Sequence, residues 1–231
     1  MIRVATDVGG TFTDLVYFEI DKKTKKAKKI SNAKSDTTTP NYEKGVFKAI
    51  KKSGISIDEA IFFAHGTTVI INSITERKGS VTGLITTKGF RDSLEIARGD
   101  RPDFFNLRYK KPEPFIPRYL RAEVPGRMDF LGKEIEKLEL NDLNKIIKLF
   151  KFHQVKSIAI CLLHSYANPK HEQSLAKKIQ QKWPEFEIVT SNELTREWRE
   201  YERTNTTALC AYVKPIAKNY LDNLFTELKK Y

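Results

Sequence analysis

Cysteine is scarce in this chain: Cys161 and Cys210 are the two among 231 residues. They stand far apart and form no Cys-x-x-Cys pair, which excludes a thiolate metal knuckle. Cys161 falls in the apolar run 157–163 and reads as a small buried hydrophobe. Long apolar runs are missing as well; none approaches the roughly 20 residues of a membrane helix. The amino terminus enters a strand-like segment directly, without the basic, apolar and small-residue succession of a secretory signal. A cytoplasmic protein that spans no membrane is expected. Acidic charge is in the minority, with 29 Asp+Glu against 41 Lys+Arg and a net charge of +12. Such an excess raises nucleic acid as a partner. Yet Lys22, Lys23, Lys25, Lys26, Lys28 and Lys29 crowd one short segment between two strand-like runs, where a solvated hairpin tip accounts for them. No helix-turn-helix or RNA-binding signature accompanies them, so nucleic acid is not an expected partner. The remaining basicity suits an anionic ligand or an acidic partner.

Hydrophobic residues make up 40% and aromatics 11% of the chain, ample for a packed core in one large domain or two small ones. Between the apolar runs 2–6 and 15–20 lies Asp7-Val8-Gly9-Gly10-Thr11-Phe12-Thr13-Asp14. Both runs read as strands, so the segment is a hairpin turn of two glycines flanked by hydroxyls and carboxylates. Glycine lets backbone approach a ligand closely. Successive turn amides pointing into one concavity attract anions. An acid at each end is out of place around a bare phosphate but fits one accompanied by hydrated Mg²⁺. A plain Gly-Gly turn needs neither the threonines nor the acids. The segment lacks the Gly-Lys-Ser/Thr ending of a Walker loop, and a strand follows where that loop and the Rossmann turn have a helix.

The pattern beyond the turn alternates strands and helices, as in an α/β layer fold. A third strand is expected at 28–34 and a helix at 41–53, with Val46, Phe47, Ala49 and Ile50 on one side. Strand 60–63 leads into Ala64-His65-Gly66-Thr67-Thr68 and a helix over 69–77. Thr67 or Thr68 can cap that helix. His65 would then lie at the carboxyl end of a strand, where open α/β sheets bind ligands. A buried strand ends in Thr86-Thr87-Lys88-Gly89 before a short helix at 92–97. The stretch 98–125 reads as irregular, its aromatics serving packing. A helix at 140–152, a strand at 157–163, a helix at 169–182 and a strand at 187–190 follow. His171 and Glu172 read as capping and surface residues. Arg203-Thr204-Asn205-Thr206-Thr207 is a poor helix interior and reads as the lining of a polar cleft. An amphipathic helix over 216–231 closes the chain.

Taken in order, these clusters resemble the N-terminal region of the hydantoinase A/5-oxoprolinase family. They are the Gly-Gly turn with its acids, His-Gly-Thr-Thr with Asn72, Gly83-Leu84-Ile85-Thr86-Thr87-Lys88-Gly89-Phe90-Arg91-Asp92, Arg101-Pro102, Leu162-Leu163-His164-Ser165-Tyr166 and Arg199-Glu200-Tyr201-Glu202-Arg203-Thr204. The resemblance covers nearly the whole chain and includes the acetone and acetophenone carboxylase subunits. It implies an α/β fold of the actin-like ATPase (ribonuclease H-like) type, a mixed sheet with flanking helices forming one half of a two-lobed architecture. It implies a domain at 1–190 and a helical segment at 191–231. It implies ATP and Mg²⁺, with phosphorylation of a carbonyl oxygen on a small cyclic amide or other carbonyl substrate. Amides of Gly9, Gly10 and Thr11, with the Thr11 and Thr13 hydroxyls, would hold the phosphates. Asp7 would hold Mg²⁺ through water or orient an attacking group, and Asp14 would support the turn. His65 and Thr67 would face the substrate or γ-phosphate, and Arg98 and Arg101 would steady negative charge. Members of the family are several times longer, and no second Gly-Gly turn occurs here. A second chain supplying the missing lobe is therefore expected. The resemblance implies the N-terminal half or a subunit of an ATP-dependent cyclic amidohydrolase; a subunit of an ATP-dependent ketone carboxylase, a non-catalytic remnant or nucleotide-binding module, and a sugar or acid kinase of the same superfamily are the alternatives.

Overall fold

The computed structural model describes residues 1–21, 23–24, 26–99 and 103–230. The chain divides into two compact units, Met1–Lys78 with Ile216–Tyr231, and Gly79–Pro215. The first contains β1 (Ile2–Val8), β2 (Phe12–Ile20), β3 (Ala27–Asp36), α1 (Tyr42–Ser53), β4 (Ala60–Thr67) and α2 (Val69–Thr75). The second begins with β5 (Thr82–Thr87), α3 (Ser93–Ile96), β6 (Arg121–Val124), β7 (Arg127–Met128) and β8 (Glu134–Glu136). It continues with α4 (Leu143–Phe152), β9 (Ser157–Cys161), α5 (Lys170–Lys182), β10 (Glu187–Thr190) and α6 (Ser191–Leu194). The long α7 (Glu200–Leu228) belongs to the second unit up to Pro215 and to the first from Ile216. The expected boundary at residue 190 falls within the second unit, between β10 and α6.

In the first unit β1 alternates strictly: Ile2, Val4, Thr6 and Val8 are buried, while Arg3, Ala5 and Asp7 are exposed. That period of two is what a strand with one covered face requires. The sheet order is β3-β2-β1-β4, antiparallel from β1 to β3 and parallel between β1 and β4. The covered face meets Val46, Ala49 and Ile50 of α1 and Tyr220 and Leu224 of α7. Positions 46, 49 and 50 are three and four apart, the stripe of an amphipathic helix. Gly54 ends α1 at φ 70°, donating its amide to Lys51, a left-handed stop that glycine adopts without strain.

In the second unit the order β10-β9-β5-β6 is parallel throughout. Every residue of β5 and β9 is buried, as central parallel strands covered on both faces must be. Gly83 lets α4 lie on β5, because a Cβ there would sit 2.6 Å from the Phe150 ring. The expected mixed sheet is that of the first unit; the second unit adds a parallel sheet, with β7 and β8 as a separate antiparallel pair.

Several local expectations need correction. The stretch 98–125 is not wholly irregular, since β6 joins the parallel sheet there. Its aromatics divide: Phe115 packs edge-on to Tyr212, whereas Phe104, Phe105 and Leu107 stand exposed rather than packed. His171 and Glu172 are buried, not superficial. Glu172 accepts from the Leu162 amide at 2.7 Å, Ser191 Oγ at 2.7 Å and the Asn192 amide at 2.9 Å. Arg203 and Thr204 do not line an open cleft; they are buried within α7. Arg203 donates to the Leu162 carbonyl at 3.0 Å, to Ser191 at 3.2 Å and to Ser165, and Thr204 contacts Cys161 Sγ at 3.2 Å. Hydrogen bonds to neighbouring elements offset the weak helix propensity of these residues, which is why the helix continues through them.

Candidate functional site at the Gly-Gly turn

The turn between β1 and β2 is held by its carbonyls. Phe12 O accepts from the Gly9 amide at 2.9 Å, and Thr11 O accepts from the Thr37 amide at 2.9 Å. Thr37 Oγ1 donates to Gly9 O at 2.9 Å. Val8 O accepts from the Thr68 amide at 3.0 Å and from Thr67 Oγ1 at 3.3 Å. Among the described residues, the amides of Gly10 and Thr11 have no partner. Carbonyls engaged by protein and amides left free give the turn an anion-binding polarity. A Cβ at Gly9 would stand 3.1 Å from Phe12 O, and one at Gly10 3.3 Å from Asn72 Nδ2. The two glycines therefore keep the turn tight and its mouth narrow. Asn72 Nδ2 is itself fixed by Thr68 Oγ1 at 3.2 Å.

Asp7 and Asp14 are direct partners in the β1–β2 register, and both are exposed on the same face. Asp14 also faces Lys34 of β3, with Nζ 3.3 Å from its carboxylate. Gly66 lies opposite Asp7 on β4, and a Cβ there would approach Asp7 Oδ1 to 3.2 Å. The Asp7 carboxylate thus rests over bare backbone. No cluster of three or more His, Cys, Asp or Glu able to hold a metal occurs among the described residues. One or two carboxylates, with phosphate oxygens and water completing the shell, is nonetheless the usual manner in which Mg²⁺ is held beside a nucleotide. The acids present fit that ion in that role.

Thr13 is fully buried, and its hydroxyl meets Thr37 Oγ1 at 3.2 Å. It braces the turn from below. His65 stands near the carboxyl end of β4, as expected, paired with Thr6. Its Nδ1 contacts Thr6 Oγ1 at 2.7 Å, and its Nε2 hydrogen-bonds the Tyr220 hydroxyl. Burial pushes the imidazole below its ordinary pKa, and the Asp7 carboxylate opposes that shift. Burial also raises the Tyr220 phenol to about 12. Both ring nitrogens of His65 are therefore occupied by hydroxyls. Thr67 ends β4 just before α2, its hydroxyl accepting from the Val69 amide at 3.1 Å. Arg98 lies in the second unit, where it pairs with Glu202 at 2.5 Å. Arg101 lies outside the described residues.

The first unit thus brings Asp7, Gly9, Gly10, Thr11, Thr13, Asp14, His65 and Thr67 together on adjoining strands. Three supporting residues escaped the sequence reading. Thr37 sits in the run Thr37-Thr38-Thr39, a polar cluster beyond β3 that could have flagged it. Thr6 reads as an ordinary strand residue. Tyr220 is too distant in sequence for any local signal.

Residues 3–183 match the family described as the hydantoinase/oxoprolinase N-terminal region. The chain is 38% identical over 230 residues to an uncharacterized protein of Methanocaldococcus jannaschii, covering 98% of this chain and 33% of that one. It is 31% identical over 235 residues to caprolactamase subunit alpha of Pseudomonas jessenii, covering 98% and 34%. The solved ATP-dependent caprolactamase from that organism superposes with a TM-score of 0.79 over 98% of this chain and 34% of that one. Nucleotide-free acetone carboxylase superposes with a TM-score of 0.82 at 23% identity, over 99% and 34%, a likeness of fold. The chain spans about a third of the length of these relatives. Its architecture is the α/β arrangement of an actin-like ATPase, with a mixed sheet and flanking helices. By the match over most of its length, the chain belongs to the hydantoinase/oxoprolinase N-terminal region family.

Proposed function

We propose that this chain is the phosphate-gripping part of an ATP-dependent enzyme that opens a cyclic amide, completed by a second lobe on another chain. One observation carries the reading: the free amides of Gly10 and Thr11, set between Asp7 and Asp14 on a turn whose Val8, Gly9, Thr11 and Phe12 carbonyls are engaged. In this reading the Gly10 and Thr11 amides donate to oxygens of the terminal phosphates. Asp7, alone or with Asp14, holds Mg²⁺ through water, and the ion supplies neutralisation of phosphate charge. Thr13 and Thr37 keep the turn in shape, and His65 and Thr67 hold the neighbouring strand end. The chemistry would pass the γ-phosphoryl group of ATP to the amide oxygen, releasing ADP. Water would then add to the activated carbon, the ring C–N bond would break as the nitrogen takes a proton to leave an acyl phosphate, and a second water would release the carboxylate and inorganic phosphate. The caprolactamase subunit among the relatives supports a ring amide as substrate. The acetophenone carboxylase gamma subunit of Aromatoleum aromaticum, 30% identical over 244 residues, supports a second reading in which the same activation precedes carbon–carbon bond formation.

The test is calorimetric titration of Mg·ATP into the chain combined with its complementing subunit, followed by product analysis. An opened ring with free phosphate is expected. A carboxylated ketone would establish the second reading, and a stable phosphorylated product would indicate a kinase. Asp7 is exposed, so Asp7→Asn should change stability by no more than about 0.5 kcal/mol while abolishing turnover. Full activity in that variant would refute the assignment.

A further inference from the structure

A concavity of the first unit lies away from the turn, along one side of α1. Its volume is about 780 Å³, within the range of small-molecule sites. The floor is apolar, built from Phe47, Ile50, Ile55 and Ile57. One rim carries Lys44, Lys48 and Lys51, all exposed. They stand four and three residues apart, so they share one face of α1. None of the three forms an ion pair among the described residues. The lining acids are Glu43, which is buried, and Glu227, which Lys230 pairs at 2.5 Å. A second concavity of about 460 Å³ adjoins the first across Lys48 and Lys51 and adds Lys52, Ser35 and Asp36.

We infer that this groove is a binding site for an amphiphilic anion, an alkyl chain ending in a carboxylate or phosphate. An apolar floor alone would accept any oily molecule. Unpaired cations on one rim select a negative head, and their position between the two concavities places it. The tail lies over Phe47 and Ile50 while the head meets Lys48 and Lys51. Gly45, on another side of α1, is where the helix approaches the turn's support: a Cβ there would stand 2.8 Å from Thr13 Oγ1. The groove is thus distinct from the phosphate turn, and its ligand does not depend on the ATP reading.

The experiment titrates the whole chain with octanoate, decanoate and decyl phosphate below their aggregation limits. Inorganic phosphate and decyltrimethylammonium serve as controls. Saturable one-site binding is expected for the amphiphilic anions, roughly tenfold tighter for decanoate than for octanoate because two methylenes are added. The two controls should not compete. Lys48→Glu/Lys51→Glu alters exposed side chains alone and should weaken decanoate binding about fivefold with an unchanged melting temperature. Phe47→Glu should abolish it. Equal binding of the cationic amphiphile, or unchanged affinity in the lysine variant, overturns the inference. So does a concentration-dependent dimer that Phe47→Glu dissociates, which would make the groove a contact between copies of this chain.

Discussion

Replacing Tyr220 by Phe removes one oxygen atom and tests how the end of α7 holds β4. The Tyr220 hydroxyl hydrogen-bonds His65 Nε2, and Thr6 Oγ1 occupies Nδ1 at 2.7 Å. The aromatic ring remains in the variant, so its edge-on contact with Tyr42 at 5.8 Å and its tilted contact with His65 at 5.6 Å persist. No cavity opens, and the loss is that of the hydrogen bond alone. An ordinary hydrogen bond contributes about 1 kcal/mol net, and leaving a buried partner unsatisfied costs roughly 1–3 kcal/mol. His65 is half-buried, so water reaches part of the abandoned nitrogen, and a loss of about 1–2 kcal/mol is expected. The histidine also gives stability a pH dependence. Burial lowers its folded pKa beneath the unfolded value of 6.5. Its neutral form therefore supports the fold fully above pH 6.5, and that support is lost as pH falls towards the folded pKa. Urea unfolding from pH 8 down to pH 5, monitored beside the His65 ring resonances, measures both effects. Wild-type stability in Tyr220→Phe at pH 8, or a His65 midpoint above 6.5 in the native protein, would refute the reasoning.

Gly83→Ala sets a methyl group 2.6 Å from the Phe150 ring. It should destabilise the second unit by about 1–3 kcal/mol, with partial recovery in Gly83→Ala/Phe150→Leu, measured by chemical denaturation. The hydrogen bond from His171 holds the Glu134 carboxyl below its ordinary pKa of 4.5. The pair's contribution is complete above that value and disappears as pH falls through the folded pKa. Glu134→Gln should accordingly flatten the acid limb of the stability profile below pH 4.5. Arg203→Ala strips a buried cation from the Ser165, Ser191 and Leu162 network, and Arg203→Met replaces it with apolar bulk. The alanine variant should lose about 3–5 kcal/mol and the methionine variant clearly less; equal losses in a melting series would contradict this reading of the network.

The part of the architecture that local pattern dictates was legible in the sequence. Val46, Ala49 and Ile50 announce α1 by their spacing, and the alternation in β1 fixes which side chains face inward. The two glycines between strands mark the turn, and the flanking acids mark its chemistry. What the sequence concealed depends on distant partners. His65 belongs to the ladder because β1 continues to Val8 beside it, and its ring is fixed by a tyrosine on the last helix. Glu172 reads as a capping or surface residue and Arg203 as cleft lining, since nothing local reveals that Ser165, Ser191 and Asn192 converge on them. Thr13 looked like a ligand for phosphate because hydroxyls beside glycines usually are. Its position in the alternation of β2, one residue from exposed Asp14, places it on the covered face instead.

The electrostatics of the turn explain why a grip of this kind needs completing. A triphosphate carries several negative charges, and this surface meets it with two amides and two carboxylates. Lys34, which faces Asp14, is already paired with it. Like charges on Asp7, Asp14 and the phosphates repel unless a divalent cation lies among them, and exposed positions weaken each attractive contact through solvent screening. Two backbone amides cannot offset that repulsion. Cations and further amides must come from residues beyond those gathered at the turn, and a covering lobe would also exclude water and strengthen every contact. The acids, which hinder binding of a bare anion, become assets once Mg²⁺ accompanies the nucleotide. That is the physical reason for reading this unit as one jaw of a closing site rather than as a free-standing anion trap.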